Sequence, residues 1–346
     1  MRADWRIFNA RDIGMVLRIS FGAWRRQWLD LALTFGMLIL AAILPLGIPS
    51  IYWQGVLTVT LVYALASTGW NILGGFTGQF SLAPATFLML GMYTSALLVH
   101  YRGWPPVAGI LATLPVTSVI GMVLGLLCLR LRGPYLALTT VAFSEITRNL
   151  IRFSYNFTRG DLGLSVPTLY GMEGNRLYYY YTIYLLNIAV ILAVHLLMSS
   201  RVGLYLRSIR DDEVAAAGRG VNTVLWKTMA FTISSSICGL AGGYYVHFIG
   251  LASPEMGLLL QAGFIISMAV IGGMGTLGGP LAGAMLLYPL SEYVRRFGIQ
   301  YMVIFSFLMI LMIRFWKAGI YGTILNIMDR WVTSSGSAPA LGSKYL

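Results

Sequence analysis

The sequence predicts an all-α polytopic membrane protein with about ten transmembrane helices. Of its 346 residues, 58% are hydrophobic and only 10% are charged, whereas a soluble domain carries about 25% charged residues. The hydrophobic residues form long runs, and about 20 apolar residues span a bilayer as one helix. These runs do not alternate with period two, as the strands of a membrane barrel would.

Polar breaks divide the apolar sequence into ten predicted spans. They cover residues 29–47, 51–73, 81–100, 106–129, 134–152, 179–198, 227–250, 257–276, 280–294 and 299–316. An even number of spans places both termini on one face, and 17 of the 24 Lys and Arg residues then lie on that face. Because cytoplasmic loops are rich in Lys and Arg, we expect a cytoplasmic arm over 1–28, a transmembrane domain over 29–322 and a cytoplasmic tail over 323–346.

The longest polar interruption in the second half of the chain is 201–227, RVGLYLRSIRDDEVAAAGRGVNTVLWK. Its charges are too many for lipid, and its basic excess predicts a cytoplasmic position. Asp211 or Asp212 can cap a helix N-terminus, and the alanines at 215–217 favour a helix that the following glycines end. We therefore predict a short helix of about two turns with a docking surface.

The order of residues in this segment resembles the cytoplasmic loop of ABC importer permeases of the branched-chain amino acid family, of the LivM kind. We call 201–227 the coupling loop, because the resemblance implies that it docks onto a separate ATPase. A charged surface helix without that role is the alternative from composition alone. The implied docking residues are Arg207, Arg210, Asp211, Asp212, Glu213, Ala215, Ala216, Gly218 and Gly220.

Two glycine-rich segments interrupt the apolar pattern: the first break, GGFTGQFS at 74–81, and the second break, GGMGTLGGP at 272–280. Irregular backbone at membrane depth is tolerated only where protein or water covers it, and paired breaks are typical of a translocation path. Close helix packing through small residues is the alternative interpretation. The candidate path residues here are Gly75, Gly78, Gln79, Ser81, Gly272 and Gly273.

Residues 130–152, RLRGPYLALTTVAFSEITRNLIR, also resemble the family, which has Arg-Leu-Arg-Gly and Glu-Ile at the same spacing. Glu145 is notable because a carboxylate inside a membrane span is costly and usually functional. It either pairs with Arg148 at the outer interface or lines an outer vestibule, and Thr140 offers a hydroxyl to the bundle. We add Thr140 and Glu145 to the candidate path. The outer loop, 153–178, either contacts a solute-binding protein or only connects two spans.

Several functional classes find no support in the sequence. There is no GxxxxGK[ST] phosphate loop, so the chain does not bind ATP in the Walker manner. The three histidines and two cysteines lack metal-ligand spacing, and no Ser/His/Asp arrangement is present. The net charge of +12 reflects membrane topology rather than nucleic-acid binding. We predict no catalytic residue, metal or cofactor in this chain.

The resemblance implies a permease subunit of an ATP-driven ABC importer in the bacterial inner membrane, for branched-chain or other hydrophobic amino acids. Its implied partners are two ATP-binding subunits that hold ATP and Mg²⁺, a second LivH-like permease, an extracytoplasmic solute-binding protein and membrane lipid. The first alternative is a urea or short-chain amide importer. A secondary transporter and a lipid-modifying enzyme come from other classes, and the sparse intramembrane charge argues against ion coupling.

Overall fold

The structure is a computed structural model that describes residues 28–128, 131, 133–171, 175–295, 306–307, 310–311, 314–315 and 319–335. Four sequence predictions fall outside these residues. They are the arm up to residue 27, the arginines at 130 and 132, most of the tenth span, and the tail beyond residue 335.

The described part of the chain is built almost entirely of helices. In chain order they are α1 (28–43), α2 (Ile51–Asn71), α3 (Pro84–Arg102), α4 (Pro106–Leu127), α5 (Pro134–Phe153), α6 (Tyr155–Thr158), α7 (Arg176–Ser199), α8 (Arg201–Asp211), α9 (Glu213–Gly218), α10 (Thr223–Ile249), α11 (Leu259–Gly273), α12 (Gly279–Val294) and α13 (Ile320–Ser335). Two short strands, β1 (Leu164–Ser165) and β2 (Leu251–Ala252), pair antiparallel, with Leu164 opposite Ala252. The prediction of an all-α membrane protein is confirmed.

The first nine predicted spans coincide with helices, with ends that differ by a few residues. Within the described ranges, five helical segments are long and apolar enough to cross a bilayer: Trp28–Gly47, Ile51–Phe76, Pro106–Leu127, Arg176–Ser199 and Thr223–Ile249. The shorter Leu259–Gly273 is also apolar. A total of ten spans stays a prediction.

Two helices, α2 and α10, form the centre of the bundle. Every residue of α2 from Val56 to Asn71 is buried, since α7, α10, α11 and α12 surround it. Helix α10 packs on α2, α3 and α4. Hydrophobic residues occur on every side of both helices, as is typical of buried helices. The packing of α2 against α10 joins the first half of the chain to the second.

Small residues let α10 approach α3 closely. A Cβ atom added at Gly91 would lie 2.0 Å from the carbonyl oxygen of Gly239, and one added at Gly242 would lie 1.9 Å from that of Leu88. A larger side chain at either glycine would therefore force the helices apart. Such contacts are typical of helix packing in membranes.

At the end of α10 away from the coupling loop, the buried His247 fixes the outer loop. Its Nδ1 lies 2.8 Å from the carbonyl oxygen of Pro167, and its Nε2 lies 2.8 Å from Oγ of Ser95. The carbonyl can only accept, so Nδ1 carries the proton and Nε2 accepts from the serine hydroxyl. Together with the β1–β2 pair, this histidine ties the outer loop to α3 and α10.

Candidate coupling site

The coupling loop folds into two short helices where the sequence analysis expected one. The additional helix, α8, begins at Ser200, whose hydroxyl oxygen accepts from the backbone N–H of Val202 at 3.2 Å. Its buried face is formed by Gly203, Leu206 and Ile209. The spacing of three residues was a helical signal, but the charged residues Arg201, Arg207 and Arg210 beside these positions obscured it.

The second helix, α9, was predicted from the local sequence. One carboxylate oxygen of Asp212 accepts from the backbone N–H groups of Val214 (2.8 Å) and Ala215 (3.0 Å). Asp212, not Asp211, is therefore the cap. The helix ends at Gly218, and Gly220 turns the chain with a φ of +85°, a conformation that glycine adopts without strain.

A buried ion pair, which the sequence analysis missed, holds α9 against the bundle. Nζ of Lys227 lies 2.7 Å from a carboxylate oxygen of Glu213, and the two side chains are 4% and 19% exposed. The three consecutive acids consequently differ. Asp211 is exposed, Asp212 caps α9 and Glu213 binds α10 through Lys227.

The outer face of α9 is small and largely apolar. Val214 is 65% exposed, and Ala215, Ala217 and Gly218 are exposed beside it. Ala216 alone among the three alanines is buried. The helix therefore has one side fixed to the bundle and one side that is exposed.

The first break is a π-helical turn, Ile72–Phe76, followed by a short loop. Within this segment, the backbone N–H of Gln79 donates a hydrogen bond to the carbonyl of Leu73 (2.9 Å). The indole N–H of Trp70 donates to the carbonyl of Ser81 (2.7 Å) and closes the loop. Single π turns inside helices occur frequently at functional sites.

The two breaks meet through the side chain of Asn71, which is 2% exposed. Its Nδ2 donates to the carbonyl of Thr276 (2.8 Å), and its Oδ1 accepts from the backbone N–H of Gly275 (2.9 Å). The amide thus forms hydrogen bonds with two successive residues of the turn in the second break. We call this contact the amide bridge. The sequence analysis did not single out Asn71, which stands inside an apolar run.

Arg210 of the coupling loop lies against both breaks. A Cβ atom added at Gly78 would be 3.2 Å from Cγ of Arg210, and one added at Gly275 would be 2.5 Å from a guanidinium nitrogen. Both glycines have positive φ, +74° and +75°. The coupling loop and the two breaks, predicted as separate sites, are therefore one contiguous region.

Arg207, one turn before Arg210, lies near Asp30 of α1. Burial lowers the pKa of Arg207, and the negative charge of Asp30 opposes that shift. The Asp30 carboxylate also accepts from the backbone N–H of Leu277 in the second break (3.1 Å) and from the hydroxyl of Tyr321 on α13 (2.6 Å). Asp30 thereby joins α1, α13 and the second break.

Gly272 sits where α11 and α12 cross, because an added Cβ would lie 1.8 Å from the carbonyl oxygen of Gly279. Gly273 beside it is also buried. Such a contact fits close packing through small residues. A path-lining role for these two glycines stays a prediction.

The remaining candidate path residues form two groups. Ser81 and Thr140 are buried, and the hydroxyl of Thr140 accepts from the backbone N–H of Leu82 (2.9 Å), so α5 touches the end of the first break. Glu145, further along α5, is not part of this region. Its carboxylate accepts from the guanidinium of Arg148 at 2.6 Å, the ion pair that was one of the two alternatives.

The outer end of α5 carries a second ion pair. Arg152 donates two hydrogen bonds to the carboxylate of Asp161, at 2.6 and 2.7 Å. The hydrogen bond from Arg152 holds the pKa of Asp161 below its usual value. This pair links α5 to the outer loop.

Residues 52–314 match the family described as branched-chain amino acid transport system / permease component. The high-affinity branched-chain amino acid transport system permease protein LivM of Escherichia coli (strain K12) is 31% identical over 287 residues, which are 74% of this chain and 66% of LivM. The chain thus spans about two thirds of the length of that relative.

More distant relatives include the fructose import permease protein FrcC of Rhizobium meliloti, 25% identical over 64% of this chain and 65% of FrcC. The probable branched-chain amino acid transport permease protein LivM of Methanocaldococcus jannaschii is 24% identical over 79% of each chain. No solved structure matches this chain.

The family match covers well over half of the chain and includes the coupling loop and both breaks. Together with the apolar helices, it identifies a multi-pass protein of the bacterial inner membrane that is a transport component and not an enzyme. The chain belongs to the family of branched-chain amino acid transport system permease components.

Proposed function

We propose that this chain is the membrane-spanning subunit of an ATP-driven importer and that the coupling loop is the surface on which an ATP-binding subunit docks. One observation carries the proposal: α9 is capped by Asp212 and tied to α10 by Glu213 and Lys227, while Val214 is 65% exposed. A short helix fixed on one side and open on the other can transmit a push from a partner without unfolding.

In this proposal ATP and Mg²⁺ are bound by two partner ATPase subunits. A second, LivH-like permease supplies the other half of the transport unit, and an extracytoplasmic solute-binding protein delivers substrate at the outer loop. Both termini are cytoplasmic and the chain has ten spans. The excess of Lys and Arg on one face supports this orientation.

The proposed substrates are branched-chain or other hydrophobic amino acids. The support is the greater identity to the LivM protein of Escherichia coli, 31%, than to the fructose permease FrcC, 25%. A urea or short-chain amide importer is the alternative. Uptake of leucine, fructose and urea by the assembled transporter would distinguish these substrates.

The proposed path runs along the region that joins the first break to α5, past Gly75, Gly78, Gln79, Ser81 and Thr140, of which Gly75, Ser81 and Thr140 are buried. Gly272 and Gly273 form its wall in the second break, and Glu145 lies toward its outer end. Hydroxyl groups there offer hydrogen bonds in an otherwise apolar bundle.

The docking proposal is tested by Val214→Glu, which places a charge on the outer face of α9. Because Val214 is 65% exposed, the variant should fold normally. We expect at least an approximately tenfold loss of ATP-binding subunits that co-purify with the protein, since a buried charge at an interface without a partner costs more than about 1.4 kcal/mol.

Leu162→Glu is the matched control, because Leu162 is 72% exposed and lies in the outer loop. It should retain the ATP-binding subunits. If Val214→Glu retains them equally well, α9 is not the docking surface. Leucine uptake by the purified chain alone, without ATP, would instead favour the secondary transporter.

A further inference from the structure

We propose that the amide bridge and Arg210 form a joint that transmits movement of the coupling loop to the transmembrane bundle. The inference rests on the proposed docking role of α9 and adds positioning residues for the same transport cycle. Asn71 is the residue at its centre. None of these side chains needs to touch the substrate or an ATPase to act in this way.

Asn71 lies at the end of a central helix of the bundle. It is the last residue of α2, the helix around which the others pack, and its amide holds the turn between α11 and α12 by two hydrogen bonds. A displacement of that turn must therefore carry the end of α2 with it or break both bonds. The bridge makes the ends of three transmembrane helices move together.

The amide bridge is closely packed against the first break. A Cβ atom added at Gly75 would lie 2.0 Å from Oδ1 of Asn71 and 2.7 Å from the backbone nitrogen of Gly275. The backbone of the first break at Gly75 therefore lies in direct contact with the amide bridge. Close-packed groups transmit displacement, because they have no voids into which they can relax.

Helix α8 lies against the joint through Arg210, and Arg207 adds an electrostatic interaction with Asp30. Arg210 contacts Gly78 and Gly275, one residue from each break. Arg207 lies near Asp30, which in turn binds the backbone of Leu277. A push on α9 is passed to α8, since the two helices adjoin at Asp212, and from α8 to both sides of the bridge.

A second buried asparagine in the same bundle separates this role from simple stabilisation. Asn187 of α7 is 0% exposed, and its side-chain amide nitrogen donates to two carbonyls, those of Leu61 at 3.0 Å and Ile183 at 2.9 Å. It connects α7 to the middle of α2. Like Asn71 it is buried and makes two side-chain hydrogen bonds, but neither of these reaches α8 or one of the breaks.

The experiment compares Asn71→Ala with Asn187→Ala in the assembled importer, isolated with its ATP-binding subunits and reconstituted in vesicles. Leucine uptake and ATP hydrolysis are measured together, with co-purification of the ATP-binding subunits and thermal stability as separate readouts. Arg210→Met is a milder second variant, since Arg210 is exposed and methionine keeps most of the aliphatic stem beside Gly78.

We expect Asn71→Ala to lower the leucine transported per ATP hydrolysed at least fivefold while the ATP-binding subunits stay bound. Because Arg210 belongs to the coupling loop, Arg210→Met is scored only in the complexes that keep those subunits, and there it should lower the same ratio. Asn187→Ala should lose comparable stability and keep the wild-type ratio. Equal ratios for the two asparagine variants, or a wild-type ratio in Arg210→Met, would overturn the joint. Failure of the wild-type chain to bind any ATP-binding subunit would instead refute the proposed function.

Discussion

The ion pair between Glu213 and Lys227 should determine how firmly α9 is held. Removing one partner of a buried ion pair costs about 3–5 kcal/mol. Glu213→Gln leaves the ammonium of Lys227, which is only 4% exposed, without a carboxylate. We expect it to destabilise α9 by about 3 kcal/mol, at the lower end of this range because the Glu213 side chain is partly hydrated. Lys227→Met should cost less, about 2 kcal/mol, since the carboxylate that remains is 19% exposed and can be hydrated.

Hydrogen exchange of the α9 amides measures this effect directly. A loss of about 3 kcal/mol in the stability of α9 corresponds to roughly 100-fold faster exchange. The double variant should cost about 2 kcal/mol instead of the additive value of about 5 kcal/mol, which gives a coupling energy of about 3 kcal/mol. Asp211→Asn is the control, because this neighbouring carboxylate is exposed and its removal should stay within about 0.5 kcal/mol. Single variants that exchange like the control, with no coupling between them, would refute the reasoning.

Three further predictions concern single contacts. Asp212→Ala removes the cap of α9 and should destabilise that helix by about 1 kcal/mol, whereas Asp212→Asn should cost only a few tenths of a kcal/mol. Hydrogen exchange of the Val214 and Ala215 amides distinguishes the two variants. Equal exchange rates in both variants would exclude Asp212 as the cap. Trp70→Phe leaves the carbonyl of Ser81 without its donor and should cost about 1–3 kcal/mol in thermal unfolding, and an unchanged melting temperature would contradict it. Because the pKa of Asp161 is lowered in the folded protein, its pairing with Arg152 stabilises the fold at pH values above the ordinary pKa of 3.8. This stabilisation is lost as the pH falls below that value. Asp161→Asn should therefore flatten the dependence of stability on pH in that acidic range, and an unaltered profile would show that the pair is not responsible.

Local chemistry was predictable wherever the deciding residues are neighbours in sequence. A cap acts over three residues and a glycine turn over two, so the start of α9 was predicted at Asp211 or Asp212 and its end at Gly218 and Gly220. The structure selected Asp212 as the cap. Helix α8 was missed because three arginines stand beside its few apolar positions and mask their spacing. The paired glycine-rich breaks were recognised, but as candidates for a path rather than as a contact surface for the coupling loop.

Composition and the length of its apolar runs determined that this chain is a helical membrane protein, since lipid admits few other folds. The order of residues in two segments, 201–227 and 130–152, indicated its family. Only the tertiary structure decided which polar residues meet. Asn71 and Gly275 are 204 residues apart, and Asp30 and Tyr321 are 291 apart. A polar residue inside an apolar run is compatible with many partners, and the packing of whole helices selects one of them.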